Sequence, residues 1–378
     1  MQSTGRQDPN EKLTAAFLFG GRSGEHEVSV LSARSVMKAV DPGRYRIVPI
    51  GITKEGIWKT PAGDGEPEPD RAFGPEAVEV ALWSGPGFKG IVRLSEPAGG
   101  GRCDWTRLPI DVVFPVLHGT FGEDGTVQGL IEMAGLPYVG SGVLASSAAM
   151  DKQIMKRLFG EAGLPQVRWR MIPARRWLAE PESVAKEIAD AFAVPFFVKP
   201  ANLGSSVGIS KVHNVEEILP AFNLAASYDA KIIVEEGIPA REIECAVLGN
   251  DEPEASVPGE IVPCKEFYDY EAKYLMEGST LLIPAPLDAA VTREVQRIAI
   301  AAFQAVDASG LARVDFFLHK ESGKIYLNEV NTMPGFTSIS MYPKMWEASG
   351  LPTPRLIERL IRLGLERHAG RARLRRAR

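Results

Sequence analysis

An apolar run at residues 13–19 (LTAAFLF) meets the glycine-rich turn Gly20-Gly21-Arg22-Ser23-Gly24, and a helical stripe of Val28, Leu31, Val36, Met37 and Val40 follows. The run predicts a buried strand and the stripe a helix ending near Val40. A second strand at 48–52 makes this the β-α-β start of a doubly wound sheet. Residues 60–108, rich in Gly, Pro and charge, predict a loop-laden insertion; 111–117 then returns as a strand and delivers His118. A composition break at 137–142 marks a boundary. One helix over about 146–162, with Met150, Ile154, Met155, Leu158 and Phe159 on one side, stops at Gly163. Beyond it the pattern predicts strands at PFFVKP and ISKV around a Gly/Ser loop, a helix at 215–226 and a strand at 231–235. A strand pair (241–248, 257–262), a long polar loop at 264–282, a helix at 288–308, a hairpin (312–318, 324–330) and a helix at 353–366 complete the pattern. The class is α/β (α+β), in segments 1–140, 141–236 and 237–368 with a basic tail at 369–378.

The 378 residues suffice for two or three domains, and 45% hydrophobic with 24% charged residues is ordinary for a globular protein. The formal charge is −5, but six arginines lie within 367–378 and leave the rest at −11. So acidic a body argues against generic binding to nucleic acid or to a membrane surface. The arginine tail reads as a frayed terminus. Cys103, Cys245 and Cys264 form no C-x-x-C, so neither a disulfide framework nor zinc is indicated, and Cys245 reads as strand filling. No apolar run approaches the roughly 20 residues that span a bilayer, and the N-terminus is not a signal peptide. The expectation is a soluble cytoplasmic protein.

The chemistry begins with ARVDFFL (312–318) and IYLNEVN (325–331). Strand side chains alternate, so Arg313 and Asp315 share a face, as do Glu329 and Asn331. A turn centred near Ser322 sets Asp315 opposite Glu329 and Arg313 opposite Asn331. Two facing carboxylates and an amide oxygen suit Mg²⁺ bridging nucleotide phosphates; ordinary cross-strand charge pairs are the alternative. Lys199 ends an apolar strand before Gly204-Ser205-Ser206-Val207-Gly208, whose N–H groups suit phosphate, with Lys152 as a second cation; a plain connection is the alternative. No Walker A and no complete G-x-G-x-x-G occurs. Glu235 and Glu236 end another strand before Gly237 and Ile238, an edge able to pair with adenine with Glu242 near ribose, or simply two solvated glutamates.

In order, FGGRSGEHEVSV (19–30), HGTFGEDGTVQGL (118–130), MDKQIMK (150–156), FVKPANLGSSVGISKV (197–212), FYDYEAKY (267–274), ARVDFF (312–317) and NEVNTMPGFTSISMYP (328–343) resemble the D-alanine–D-alanine ligases of the ATP-grasp superfamily. The resemblance implies three α/β domains, with the nucleotide site between the central and C-terminal ones. It implies ATP-dependent joining of two D-alanines through a D-alanyl phosphate, for cell-wall peptidoglycan precursor synthesis. It assigns two Mg²⁺ (or Mn²⁺) ions to Asp315, Glu329 and Asn331. Phosphates go to Lys152, Lys199 and the loop with Ser206, and adenine to Glu235 and the Ile238 backbone. Glu242 takes ribose, while Glu236, Phe267 and Phe317 also join the nucleotide site. Arg313 and a backbone N–H near Gly335 take the oxyanion. Glu27 and His118 take the first D-alanine, and Ser340 with the Met341 backbone takes the carboxylate of the second, beside Lys273. Glu27, Ser205 and Tyr274 form a hydrogen-bonded set closing the long loop. The resemblance also suggests a homodimer, with small molecules as partners and neither nucleic acid nor membrane. D-lactate and D-serine ligases share this ATP machinery; YDYEAKY (268–274) looks like the dipeptide-forming type. A nucleotide sensor without activity, or an ATP-grasp ligase of other specificity, remains as an alternative.

Overall fold

The computed structural model describes residues 12–63, 65–83, 88, 90–95, 104–204, 207–263 and 280–374. Their strands form three sheets. The first holds β1 (Leu13–Gly20), β2 (Tyr45–Ile52), β3 (Trp58–Pro61), β4 (Ala77–Trp83), β5 (Gly90–Ser95), β6 (Asp104–Pro109) and β7 (Val112–Pro115), in the order β6-β5-β4-β3-β2-β1-β7. Here β1 runs parallel to β2 and β7, the doubly wound start the pattern predicts. Helix α1 (His26–Ala39) packs on it through Ala33, Val36 and Met37.

The segment 60–108 departs from its reading as loops, because β3 to β6 extend the sheet antiparallel. These strands are short, and turn-rich joints dominate the average composition. The alternation is local: Val80, Ile91 and Val92 are buried, while Trp83 and Trp105 stack outside with centroids 5.4 Å apart.

The second sheet holds β8 (Trp169–Pro173), β9 (Phe196–Pro200), β10 (Ser210–Val212) and β11 (Lys231–Glu236), in the order β10-β9-β11-β8. Helices α5 (Ala174–Ala179), α6 (Pro181–Ala191) and α7 (Ile218–Tyr228) cover it around Trp177, Ile188 and Phe222. The third sheet holds β12 (Ala240–Gly249), β13 (Glu254–Ala255), β14 (Gly259–Val262), β15 (Thr280–Leu282), β16 (Gly310–His319) and β17 (Ile325–Asn331). Its order is β15-β14-β12-β16-β17, with β13 on β12 and α8 (Ala289–Ala305) against one face. Cys245 is buried in β12; Cys103 and Cys264 lie outside the described residues.

After α2 (Thr126–Met133), the single helix expected at 146–162 is two, α3 (Val143–Met150) and α4 (Lys152–Glu161). Asp151 interrupts it: its Oδ1 accepts from the N–H groups of Gln153 (3.0 Å) and Ile154 (3.2 Å), an N-cap that restarts the helix. Ile154 consequently turns outward, 38% exposed, while Met155 and Phe159 pack on the third sheet. Lys152 and Lys156, four apart, share the buried face.

Helix α9 (Met341–Ala348) precedes α10 (Thr353–Ala372), whose Leu356, Leu360 and Ile361 join Phe17 and Phe114 of the first sheet to Leu248 and Ile261 of the third in one core. Through Ala372 the basic tail is helix rather than frayed end. Arg367 lies over the Tyr138 ring at 4.2 Å and Arg371 pairs with Glu132, contacts no local pattern announces. No helix among the described residues is long and apolar enough to cross a membrane.

Candidate functional site

Strand periodicity builds the first part of the site. In the β16–β17 ladder Arg313 pairs with Asn331 and Asp315 with Glu329, the register expected, and a bulge follows Asp315. Arg313 donates from Nε and Nη2 to the two Asp315 carboxylate oxygens, both at 2.7 Å, and its Nε lies 3.1 Å from Glu244 Oε2. Asn331 Nδ2 donates to Asp315 Oδ2 at 2.9 Å. Burial disfavours the Arg313 charge, yet Asp315 and Glu244 outweigh it and hold the guanidinium well above its ordinary pKa. Glu244 was not singled out from sequence. Its signal is Glu242-x-Glu244 on β12, where Glu244 pairs with Asp315 and Glu242 with Phe317.

Among the described residues no group of three or more His, Cys, Asp or Glu is spaced to hold a metal alone. Asp315, Glu329 and Asn331 supply oxygen donors only, which fits a hard cation completing its shell with phosphate and water.

Three lysines line the wall between this hairpin and the second sheet. Lys152 Nζ donates to Leu203 O at 2.6 Å and lies 4.0 Å from Glu329 Oε2. Lys199 Nζ stands 2.6 Å from Glu235 Oε2, and Lys156 Nζ 3.0 Å from Glu235 Oε1. Burial alone would raise the Glu235 pKa, but the two ammoniums hold it down at about 2. Burial lowers the Lys152 pKa, with Glu329 opposing. Lys156 is the second residue not singled out; the Lys152-x-x-x-Lys156 spacing carried it. Glu236 is exposed and turned away, accepting from the Arg168 N–H at 3.4 Å, so at most its main chain faces the site. Ile238 lies between β11 and β12.

At the other end, α1 corrects one expectation. Glu27 is on the outer side, 66% exposed, with Lys54 Nζ 2.5 Å away, a pairing that lowers its carboxyl pKa. Glu25, two residues earlier at the helix start, is buried and points inward. A Cβ on Gly119 would sit 2.8 Å from Glu25 Oε2, and one on Gly204 3.7 Å from it, so this carboxylate bridges two glycine-rich loops. The helix start decides the direction, since residues two apart on a helix face different ways. His118 is buried with Nε2 3.0 Å from Ser32 Oγ, and burial lowers its pKa, favouring the neutral ring. Glu123 Oε1 accepts from the Gly119 N–H at 2.8 Å, and burial next to Glu25 pushes its carboxyl up to about 8. That acid sits in the glycine-rich stretch quoted above and was passed over.

Gly335 abuts Ser340, whose Oγ would be 2.8 Å from a Cβ there. Ser340 Oγ accepts from the Thr337 N–H at 3.0 Å at the start of α9. The Met341 side chain is buried beside Gly259, leaving its main chain for a ligand. Ser205, Ser206, Phe267, Lys273 and Tyr274 lie outside the described residues.

An acidic oxygen face, buried lysines and an inward glutamate by a neutral histidine suit phosphoryl transfer to a small carboxylate carrying an ammonium. Comparison with known proteins gives the family. Residues 14–141 match the family model for the D-ala D-ala ligase N-terminus and 158–362 that for the D-ala D-ala ligase C-terminus. The chain is 52% identical to a D-alanine–D-alanine ligase of Heliobacterium modesticaldum, covering 94% of this chain and 96% of that one. The solved D-alanine-D-alanine ligase from Coxiella burnetii aligns with TM-score 0.81 and 38% identity over 96% of each chain. The VanG D-Ala:D-Ser ligase from Enterococcus faecalis aligns with TM-score 0.82 and 36% identity, covering 94% of this chain and 100% of that one. With both halves matched in order and half the residues shared along nearly its whole length, this chain belongs to the D-alanine–D-alanine ligase family.

Proposed function

We propose that this protein is an ATP-dependent ligase that joins two D-alanines into D-alanyl-D-alanine for cell-wall peptidoglycan synthesis in the cytoplasm. The observation that carries the reading is the shared face of Arg313, Asp315, Glu329 and Asn331, with Lys152 bridging toward Glu329. Lys152 and Lys199 neutralise and orient the phosphates, while Glu235, Ile238 and Glu242 hold adenosine. Two Mg²⁺ or Mn²⁺ ions on Asp315, Glu329 and Asn331 supply charge neutralisation at the phosphates when bound. Glu25 takes over the role expected of Glu27, accepting the ammonium of the first D-alanine with His118 alongside. The first D-alanine's carboxylate oxygen attacks the γ-phosphorus and ADP leaves. The second D-alanine, its carboxylate at Ser340 and the start of α9, then attacks the acyl carbon through its deprotonated amine. Arg313 and a main-chain N–H near Gly335 stabilise the oxyanion before phosphate departs.

The test is phosphate release and dipeptide formation from ATP and D-alanine, with D-lactate and D-serine as competing second substrates. Wild type prefers D-alanine, and Glu329→Gln loses on the order of 10³-fold in rate. An inactive wild type overturns the reading, preference for D-lactate overturns the amine nucleophile, and a fully active variant removes Glu329 from the metal set. Leu130 and Met133 of α2 and Leu144 of α3 are exposed, Met133 at 81%, and support a homodimer through these helices. Sedimentation gives the dimer mass for wild type and the monomer mass for Met133→Glu; a monomeric wild type removes the proposal.

A further inference from the structure

The three buried lysines differ in what surrounds them. Lys152 lies near Leu203 O and Glu329. Lys199 is the penultimate residue of β9, four residues before Leu203. Both can exchange their present partners for phosphate oxygens. Lys156 lies one helical turn deeper, 1% exposed, and Glu235 is the carboxylate that meets its ammonium. Glu235 is 2% exposed and divides its oxygens, Oε2 toward Lys199 and Oε1 toward Lys156. A buried carboxylate left without a cation is strongly disfavoured and takes up a proton or rearranges. If Lys199 turns to phosphate, something must stay behind to keep Glu235 charged and aimed.

We propose that Lys156 is a positioning residue for nucleotide selection: it holds Glu235 as an ionised acceptor for the adenine amino group while Lys199 serves the phosphates. The inference rests on Glu235 taking adenine, as above. A carboxylate accepts from the 6-amino group of ATP and repels the 6-oxo group of ITP, so the preference between these nucleotides reads the state of Glu235. Lys156 is buried against Glu235, so its loss acts through Glu235 and Lys199.

The experiment compares kcat and KM for ATP and ITP, at saturating D-alanine, in wild type, Lys156→Met, Glu235→Gln and the double variant. Lys156→Met is expected to raise KM for ATP about tenfold with kcat changed much less, and to reduce the ATP-to-ITP ratio of kcat/KM about tenfold. The double variant is expected to match Glu235→Gln, because Lys156 has nothing left to position. A reduced ratio in Glu235→Gln with an unchanged ratio in Lys156→Met overturns the role of Lys156 alone. An unchanged ratio in Glu235→Gln overturns the adenine assignment and the inference with it. Losses that add in the double variant overturn action through Glu235. Should Lys156→Met not fold, Lys156→Gln, which keeps a donor without the charge, is read in the same way.

Discussion

The β16–β17 hairpin and the turn into α1 both bring acids to the site, by different means. On the hairpin, alternation and one register fix where Asp315 and Glu329 point, and both lie where the strand pattern sets them. In the turn into α1, two glutamates two residues apart part company: Glu25 is buried by Gly119 and Gly204, and Glu27 goes out to Lys54. A strand's two-residue period converts sequence position directly into direction. A helix start does not, because the first helical residue depends on how the preceding loop docks. The hairpin is therefore local geometry, and the other end is assembled by Gly119 and Gly204 from distant loops.

Exchanging the two glutamates separately tests that contrast most strongly. Glu25→Gln is expected to raise KM for the first D-alanine on the order of 10- to 100-fold, the loss of a buried charge-assisted hydrogen bond. Glu27→Gln should stay within about twofold, since its partner is an exposed lysine. Steady-state kinetics decides, and the reverse order would return the role to Glu27.

Glu123 sharpens the same comparison through pH. Its folded carboxyl titrates at about 8 against an ordinary 4.5, raised by burial and by Glu25 while the Gly119 N–H and Arg313 oppose. The folded state thus holds this proton where the unfolded chain has lost it. Stability from this group is complete below about pH 4.5 and is lost as pH rises toward about 8. Without nucleotide or metal, the Tm of wild type should therefore fall by a few degrees relative to Glu123→Gln between about pH 5 and pH 8. A pH-independent difference would show that Glu123 is not held neutral.

The smallest effect belongs at the end of α10. Arg371→Ala should cost at most about 1 kcal/mol in urea unfolding, because its pairing with Glu132 is half exposed. A loss of several kcal/mol would make the tail a pillar of the core rather than a trim on it.

Much of the fold was legible: the β-α-β start, the hairpin and its register, and the strand that carries Lys199 all follow from periodicity. What was not legible has two causes, one local and one distant along the chain. Turns average away the strands within 60–108, and the cap at Asp151 interrupts an otherwise continuous helical stripe, whereas packing sets Glu244, Lys156 and Glu123. Each owes its place to a partner far along the chain: Arg313 for Glu244, Glu235 for Lys156, the Glu25 loop for Glu123.

The sequence by itself determined the family and the oxygen-donor face of the β16–β17 hairpin, because strand alternation and motif order are properties of neighbouring residues. Only the tertiary structure decided that Glu25 rather than Glu27 is buried, that Lys156 shares Glu235 with Lys199, and that the basic tail continues as helix through Ala372. The physical reason is burial. Where water is excluded, a charge takes its direction and ionisation from whichever group is packed against it, and packing is set by the whole chain.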